Sequence, residues 1–388
     1  MELLEKYQKQ IIKAAEEFAK GEFDLETALN YDKEPTFPKD IIQKAGDLGF
    51  LGIHIDESFG GGSMSYFESV LVGERLASID STYALSIIYP QLGAEAIFLF
   101  GTKEQKEQLL PDLLTGEKFV SPAVDAGFYI LMGDETVKEQ VSVSKKDNGF
   151  EIEGELKNVP FAADANYLLL MLDRQVLDEK SGVGIFLLPI DENMEVTPEA
   201  KGLGWNMIPR YKVKLNKLLI NEDKYVGKGL FSMDDLKRYI ISESILLASV
   251  GLGIGEASIK IGVDHIKLRE QFRKKLMEFP EIRRKVSDMI MKLNSARYLT
   301  YEVSKILSNQ KKKIKTKTLK QLVKMSLSAK YMSAQLGKEI ADHGIQLLGG
   351  YGYMREYHVE RYYRDAKCLE LYGGNKFQLT ELIFQHSV

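Results

Sequence analysis

The sequence predicts an α+β protein in which a helical N-terminal part, a small β domain and a helical C-terminal part follow one another along the chain. Two observations carry this. Apolar residues recur at helical spacing up to about residue 118, and that spacing returns from about 228 to the end. Between them, over 119–227, the pattern changes to the strict alternation of half-buried strands. A chain of 388 residues is long for one core and suits two or three domains.

In the first part, LEKYQKQIIKAAEEFAK and FPKDIIQKAGDLGFLGI carry helical stripes. Pro38 suits a helix start, and Gly46 and Gly49 suit its end. ESFGGGSMS (57–65) reads as an interhelix loop; no Gly-Lys-Ser/Thr follows it, so it is not a P-loop. The run from Phe67 to Gly101 is apolar enough for core helices. In the middle part, VSVSKKDNGFEIEGEL reads as a hairpin around Asn148-Gly149, and YLLLMLD, GVGIFLLPI and YKVKLNKLLI as further strands, with polar turns at 146–149 and 190–194. In the last part, helices are expected over 233–267, 269–295 and 318–348. The lysine-rich connection NQKKKIKTKTLK reads as a solvated loop or an anion-binding edge.

Composition narrows the function. A net charge of −4 and a pI near 5.9 argue against binding nucleic acid or an anionic membrane. No secretory signal and no apolar run of membrane-spanning length is visible, and the single cysteine, Cys368, fits a reducing, cytoplasmic compartment. Five histidines form no metal-ligand spacing, and there is no GxSxG elbow or dinucleotide fingerprint.

Three stretches are candidates for chemistry. In ESILLASVGLGIGEASI (243–259), Glu243 shares a helix face with Ile240, Leu247, Val250 and Ile254. A carboxylate desolvated by such neighbours has its pKa pushed up, toward what a general base near neutral pH needs. The same residue also fits a bland reading, at a stripe's edge reaching water or a lysine. The small residues Ser249, Gly251, Gly253 and Gly255 let another backbone or a flat ligand approach. In HGIQLLGGYGYMREYHVERYYRDAK (343–367), Gly349, Gly350 and Gly352 offer backbone N–H groups to a phosphate, or make a tight turn. In LYGGNKFQ (371–378), two adjacent glycines imply a positive φ or a close ligand approach, without an acid of their own.

QLLGGYGYMREYHVERYYRDAK resembles the C-terminal signature of the acyl-CoA dehydrogenases, Q-x-x-G-G-x-G-[FY] followed by Arg-Asp. LFGTKEQKEQLLPDLLTGEK and LREQFRKKLMEFPEI resemble two further family segments, and the helix–β–helix order matches. The resemblance implies a three-domain fold: an N-terminal helical domain (1–118), a middle β-barrel or sandwich (119–227) and a C-terminal four-helix bundle (228–388). It implies FAD, an acyl-CoA substrate and an electron-transfer flavoprotein or similar acceptor. It also implies an oligomer, homo- or hetero-, of the dimer-of-dimers kind.

Residue by residue, the usual glutamate of the family's YEG[TS] motif falls on Gly373, within Tyr372-Gly373-Gly374-Asn375. Branched- and long-chain members carry the base instead at the head of E-R-L-x-x-A-x-x-x-x-G, and Glu243 falls there, with Ala248 and Gly253 in register. Gly373 would keep the backbone N–H that donates to the thioester carbonyl, with Tyr372 beside the substrate and Asn375 near the flavin. Losing the side chain at Gly373 would open space for a branched or bulky acyl group. Arg269, Phe272 and Gln346 to Gly350, including Leu347 and Gly349, resemble residues that reach the FAD of a neighbouring subunit. The segments that hold flavin within one subunit are eroded. Of TEP-x-x-GSD only Asp125 and Gly133-Asp134 echo, and Val159, Pro160 and Phe161 stand where W-[IV]-[TS] is expected. Two readings follow: an acyl-CoA dehydrogenase using Glu243, or a non-catalytic subunit that completes a partner's FAD site. A different redox chemistry on the same fold is a third.

Overall fold

A computed structural model describes residues 4–123, 130–132, 140–147, 149–173, 182–221, 224–310 and 314–387. The chain begins with helices α1 (Lys6–Glu22), α2 (Leu25–Lys33), α3 (Lys39–Asp47), α4 (Tyr66–Ala77), α5 (Ser81–Phe100) and α6 (Lys103–Thr115). Pro38 occupies the N-cap of α3 as expected. Gly49, at φ +75°, ends that segment, but Gly46 lies inside the helix. A Cβ on Gly46 would stand 2.5 Å from the Thr115 carbonyl oxygen, so this glycine serves the packing of α3 on the end of α6.

The middle part forms two open sheets. Strands β1 (Val120–Pro122), β4 (Tyr167–Asp173) and β5 (Val183–Pro189) make one, in the order β1-β4-β5. Strands β2 (Val141–Lys146), β3 (Gly149–Pro160), β6 (Met194–Pro198) and β7 (Arg210–Ile220) make the other, in the order β2-β3-β7-β6. The predicted hairpin is present, with Lys146 opposite Gly149, although Asn148 lies outside the described residues. Among the described residues there is no closed barrel, which corrects the barrel alternative.

The C-terminal part is built on α7 (Met233–Leu268), α8 (Pro280–Ser308) and α9 (Thr316–Leu348). The short α10 (Gly350–Tyr353), α11 (Val359–Leu369) and α12 (Lys376–Gln385) follow. The helix expected over 269–295 instead starts at Pro280. A two-stranded hairpin, β8 (Glu270–Gln271) and β9 (Lys274–Lys275), precedes it and turns at Phe272 and Arg273 with φ of +52° and +63°. By length and composition α5 and α7 match membrane spans, yet most of each is buried inside the protein, as core helices are.

Helix α7 runs through the middle of the molecule, and its small residues explain how. A Cβ on Gly251 would lie 2.7 Å from the Ser333 backbone of α9, and one on Gly253 would lie 2.6 Å from the Glu74 carbonyl oxygen of α4. The run is therefore used by neighbouring helix backbones, not by a flat ligand. Glycine there lets two helices cross closer than side chains allow, which fixes the α7 face that carries Glu243.

Candidate active site

The turn between α11 and α12 is strained in the way its two glycines permit. Gly373 has φ +63° and Gly374 φ +92°, a left-handed path that costs an ordinary residue about 1–2 kcal/mol. Asn375 then caps α12. Its side-chain oxygen accepts from the Phe377 and Gln378 N–H groups at 2.9 and 3.2 Å, while the Gln378 side chain accepts from the Asn375 N–H at 3.0 Å. The side-chain oxygen of Asn375 thus holds a helix N-terminus.

Glu243 is only 6% exposed, and Ile240, Leu247, Val250 and Ile254 of the same face are buried with it. Leu247, one turn further on, points at the glycine turn: its Cδ1 would lie 3.7 Å from a Cβ on Gly373. Four residues of helix rise about 6 Å, so Glu243 sits one turn along α7 from the contact with Gly373. The preceding residue is anchored on the other side. The Ser242 hydroxyl donates to the Tyr239 carbonyl at 2.9 Å and acts on Glu95, whose carboxylate accepts from Tyr66 at 2.7 Å and lies 2.7 Å from His54 Nε2. Burial pushes the Glu95 pKa up most strongly, yet His54 and these hydroxyls together hold it below the usual carboxylate value.

A residue that the sequence reading missed stands behind the turn. Lys330 on α9 is 1% exposed, and its ammonium donates to the carbonyl oxygens of Tyr372 and, at 3.1 Å, Gly374. A Cβ on Gly373 would lie 3.6 Å from its last methylene, so that side of the glycine faces a lysine rather than open acyl space. The signal was legible. Lys330 interrupts the buried stripe Leu322, Ser326, Leu327, Ser333, Ala334 and Gly337, much as Glu243 interrupts its own.

Beside the turn lies a cleft of about 570 Å³ between the β domain and α11. Tyr89, Trp205 and Tyr372 line it, together with the cationic residues Lys157, Arg210 and Lys367. The Tyr372 ring is 5.0 Å from that of Tyr89 and 5.4 Å from that of Trp205. Flat rings beside three cations fit a planar, diphosphate-bearing group such as FAD. Of the three stand-ins on β3 and after it, only Pro160 lines this cleft. Val159 and Phe161 are fully buried, and Phe161 stacks on Phe37 at 4.6 Å. Asp125, Gly133 and Asp134 lie outside the described residues.

Trp205 is held by a knot of buried charge. Its N–H donates to Asp365 Oδ1 at 3.0 Å, and its indole Nε1 donates to the Asp365 carbonyl at 3.1 Å. The Ser81 and Thr82 hydroxyls donate to the other carboxylate oxygen at 2.7 Å each. Arg361 pairs with Asp80 at 2.6 Å, and Arg364 with Asp32 and Glu360. Burial raises the Asp365 pKa, whereas for Asp32 the hydrogen bonds from Arg364 and Asn206 outweigh burial and lower it.

The remaining predicted residues gather at the far end of α7. The Arg269 guanidinium lies 6.0 Å above the Tyr351 ring, next to Gly349 and Gly350, and Phe272 is 87% exposed at the hairpin tip. A Cβ on Gly349 or Gly350 would meet nothing, so backbone there is open, whereas Gly352 is packed against Ile345. Gln346 accepts the Gly349 N–H through its carbonyl at 3.1 Å. The Leu347 side chain belongs to the core, 4% exposed and against Gly262, so only its backbone is left to meet a ligand.

This plan of helices, β sheets and helices around a central cleft defines a known class. Butyryl-CoA dehydrogenase from Megasphaera elsdenii superposes with a TM-score of 0.86 over 98% of both chains at 23% identity. The sequence agrees with the fold. Residues 5–117 match the acyl-CoA dehydrogenase N-terminal domain and residues 237–387 the acyl-CoA dehydrogenase C-terminal domain, so the chain belongs to the acyl-CoA dehydrogenase family. Mitochondrial isobutyryl-CoA dehydrogenase of Dictyostelium discoideum is 26% identical over 90% of this chain and 81% of its own length. Subunit CarC of the caffeyl-CoA reductase-Etf complex of Acetobacterium woodii is 24% identical over 97% of this chain and 96% of its own. Members of the family are oxidoreductases acting on the CH–CH group of acyl-CoA.

Proposed function

We propose that this chain is an FAD-dependent acyl-CoA dehydrogenase in which Glu243 takes the α-proton of the thioester. The observation that carries the reading is the burial of Glu243 on the α7 face that meets Gly373 through Leu247. A carboxylate on a helix fixed by backbone-to-backbone crossings keeps its aim, which proton abstraction needs. The Gly373 N–H donates to the thioester carbonyl and stabilises the charge that develops there. When bound, FAD supplies the acceptor for the β-hydrogen as hydride. Lys157, Arg210 and Lys367 suit its diphosphate, and the Tyr372 and Trp205 rings wall the cleft beside it.

Arg269 and the open backbone at Gly349 and Gly350 extend the site of a neighbouring copy, which makes the working form an oligomer. An electron-transfer flavoprotein or similar acceptor takes the electrons onward; the Acetobacterium relative, named as part of an Etf complex, supports that partner. The buried thiol of Cys368 fits a reducing, cytoplasmic setting.

The test is flavin stoichiometry in the chain expressed alone. One FAD per chain, bleached anaerobically by isobutyryl-CoA, is expected. A flavin-free chain that retains FAD only when mixed with a second family member would instead make it a non-catalytic subunit.

A further inference from the structure

We propose that Lys330 is a positioning residue for the thioester-binding turn, holding from behind the peptide plane whose N–H meets the substrate. The inference rests on the reading of Gly373 as the donor to the thioester carbonyl.

A lysine that is 1% exposed is costly to bury unless its charge is answered. Two of its answers are backbone carbonyls, of Tyr372 and Gly374, on either side of Gly373. The Tyr372 carbonyl and the Gly373 N–H belong to one planar trans peptide and point in opposite directions. An ammonium that fixes the carbonyl on its own side therefore aims the N–H at the opposite side. That restraint matters here, because residues 373 and 374 are both glycines at positive φ, the backbone with the least side-chain resistance to rotation. Polarisation adds to the aim. A carbonyl that accepts from a cation makes the N–H of the same peptide a stronger donor.

The assignment separates two tasks. Glu243 receives the α-proton as the C–H bond breaks, and the electron pair moves onto the thioester oxygen held by the Gly373 N–H. Lys330 acts through the Tyr372–Gly373 peptide.

The experiment uses the FAD-loaded chain with Lys330→Met and Lys330→Gln, and isobutyryl-CoA as probe. Deuterium exchange at the α-carbon reads proton removal without an electron acceptor. Exchange at saturation is expected to fall roughly tenfold to a hundredfold in Lys330→Met with KM changed little, less than the roughly 10²–10³-fold of losing an oxyanion donor outright. Lys330→Gln, which still offers an N–H to one carbonyl, is expected to fall between. A second readout needs no activity. The sequence holds Tyr-Gly pairs only at 351–352 and 372–373, so carbonyl-labelled tyrosine with amide-labelled glycine gives two NMR signals, one an internal control. The 372–373 signal is expected to move and the 351–352 signal to stay. Wild-type exchange in either folded variant, or an unmoved 372–373 signal, overturns the proposal. Absent exchange in the wild type would sink the dehydrogenase reading instead, while the NMR signals would still decide the role of Lys330.

Discussion

Two buried charged regions, one on helix α11 and one just beyond it, are built to different ends. On α11, Arg361, Arg364 and Asp365 tie Asp80, Asp32, Glu360 and two hydroxyls into a knot that also holds Trp205, so all three parts of the chain contribute. Downstream, one buried ammonium holds the carbonyls of a left-handed glycine turn, beside an α7 face that carries a buried glutamate. The first region uses charge to close the molecule around Trp205. The second uses charge to shape a backbone. Geometry distinguishes them: guanidinium–carboxylate pairs lock side chains to side chains, whereas Lys330 aims peptide groups.

The comparison can be broken from the knot side first. Arg361→Ala leaves Asp80 buried without its nearest cation, and loss of one partner of a buried pair costs about 3–5 kcal/mol. Urea unfolding should show that loss. A variant as stable as the wild type would make the knot decorative. A smaller effect is expected at the turn. Gly373→Glu restores the residue the family usually carries, but at φ +63° and with its Cβ against Lys330 and Leu247. It is expected to cost about 1–2 kcal/mol of stability and to give no gain in acyl-CoA bleaching. A faster Gly373→Glu enzyme would show that the turn is an ordinary site with its acid missing.

Much of this was legible in the sequence, and the exceptions have physical reasons. The switch of hydrophobic period laid out the order of helices and strands, because each buries one face and the period records which. The burial of Glu243 was legible because its position falls within an apolar helix stripe. Lys330 carried the same signal, a charge inside a buried helical stripe. The hairpin at 270–275 was missed because Phe272 and Arg273 take positive φ without the Asn-Gly chemistry that announces such turns. The knot was not legible at all. Trp205 and Asp365 lie 160 positions apart, and Asp80 and Arg361 281 apart, so their pairing exists only once the domains close. Asn375 caps a helix, and Val159 and Phe161, which stand where the family's W-[IV]-[TS] stretch is expected, are packed in the core.

The account turns on Glu243, and the most direct measurement is the rate of anaerobic flavin bleaching by isobutyryl-CoA in Glu243→Gln against the wild type, at equal FAD occupancy. Removal of a general base is expected to slow it roughly 10²–10⁴-fold, with the melting temperature held. Undiminished bleaching in a fully loaded Glu243→Gln protein would contradict the account and send the search for the base elsewhere in the cleft.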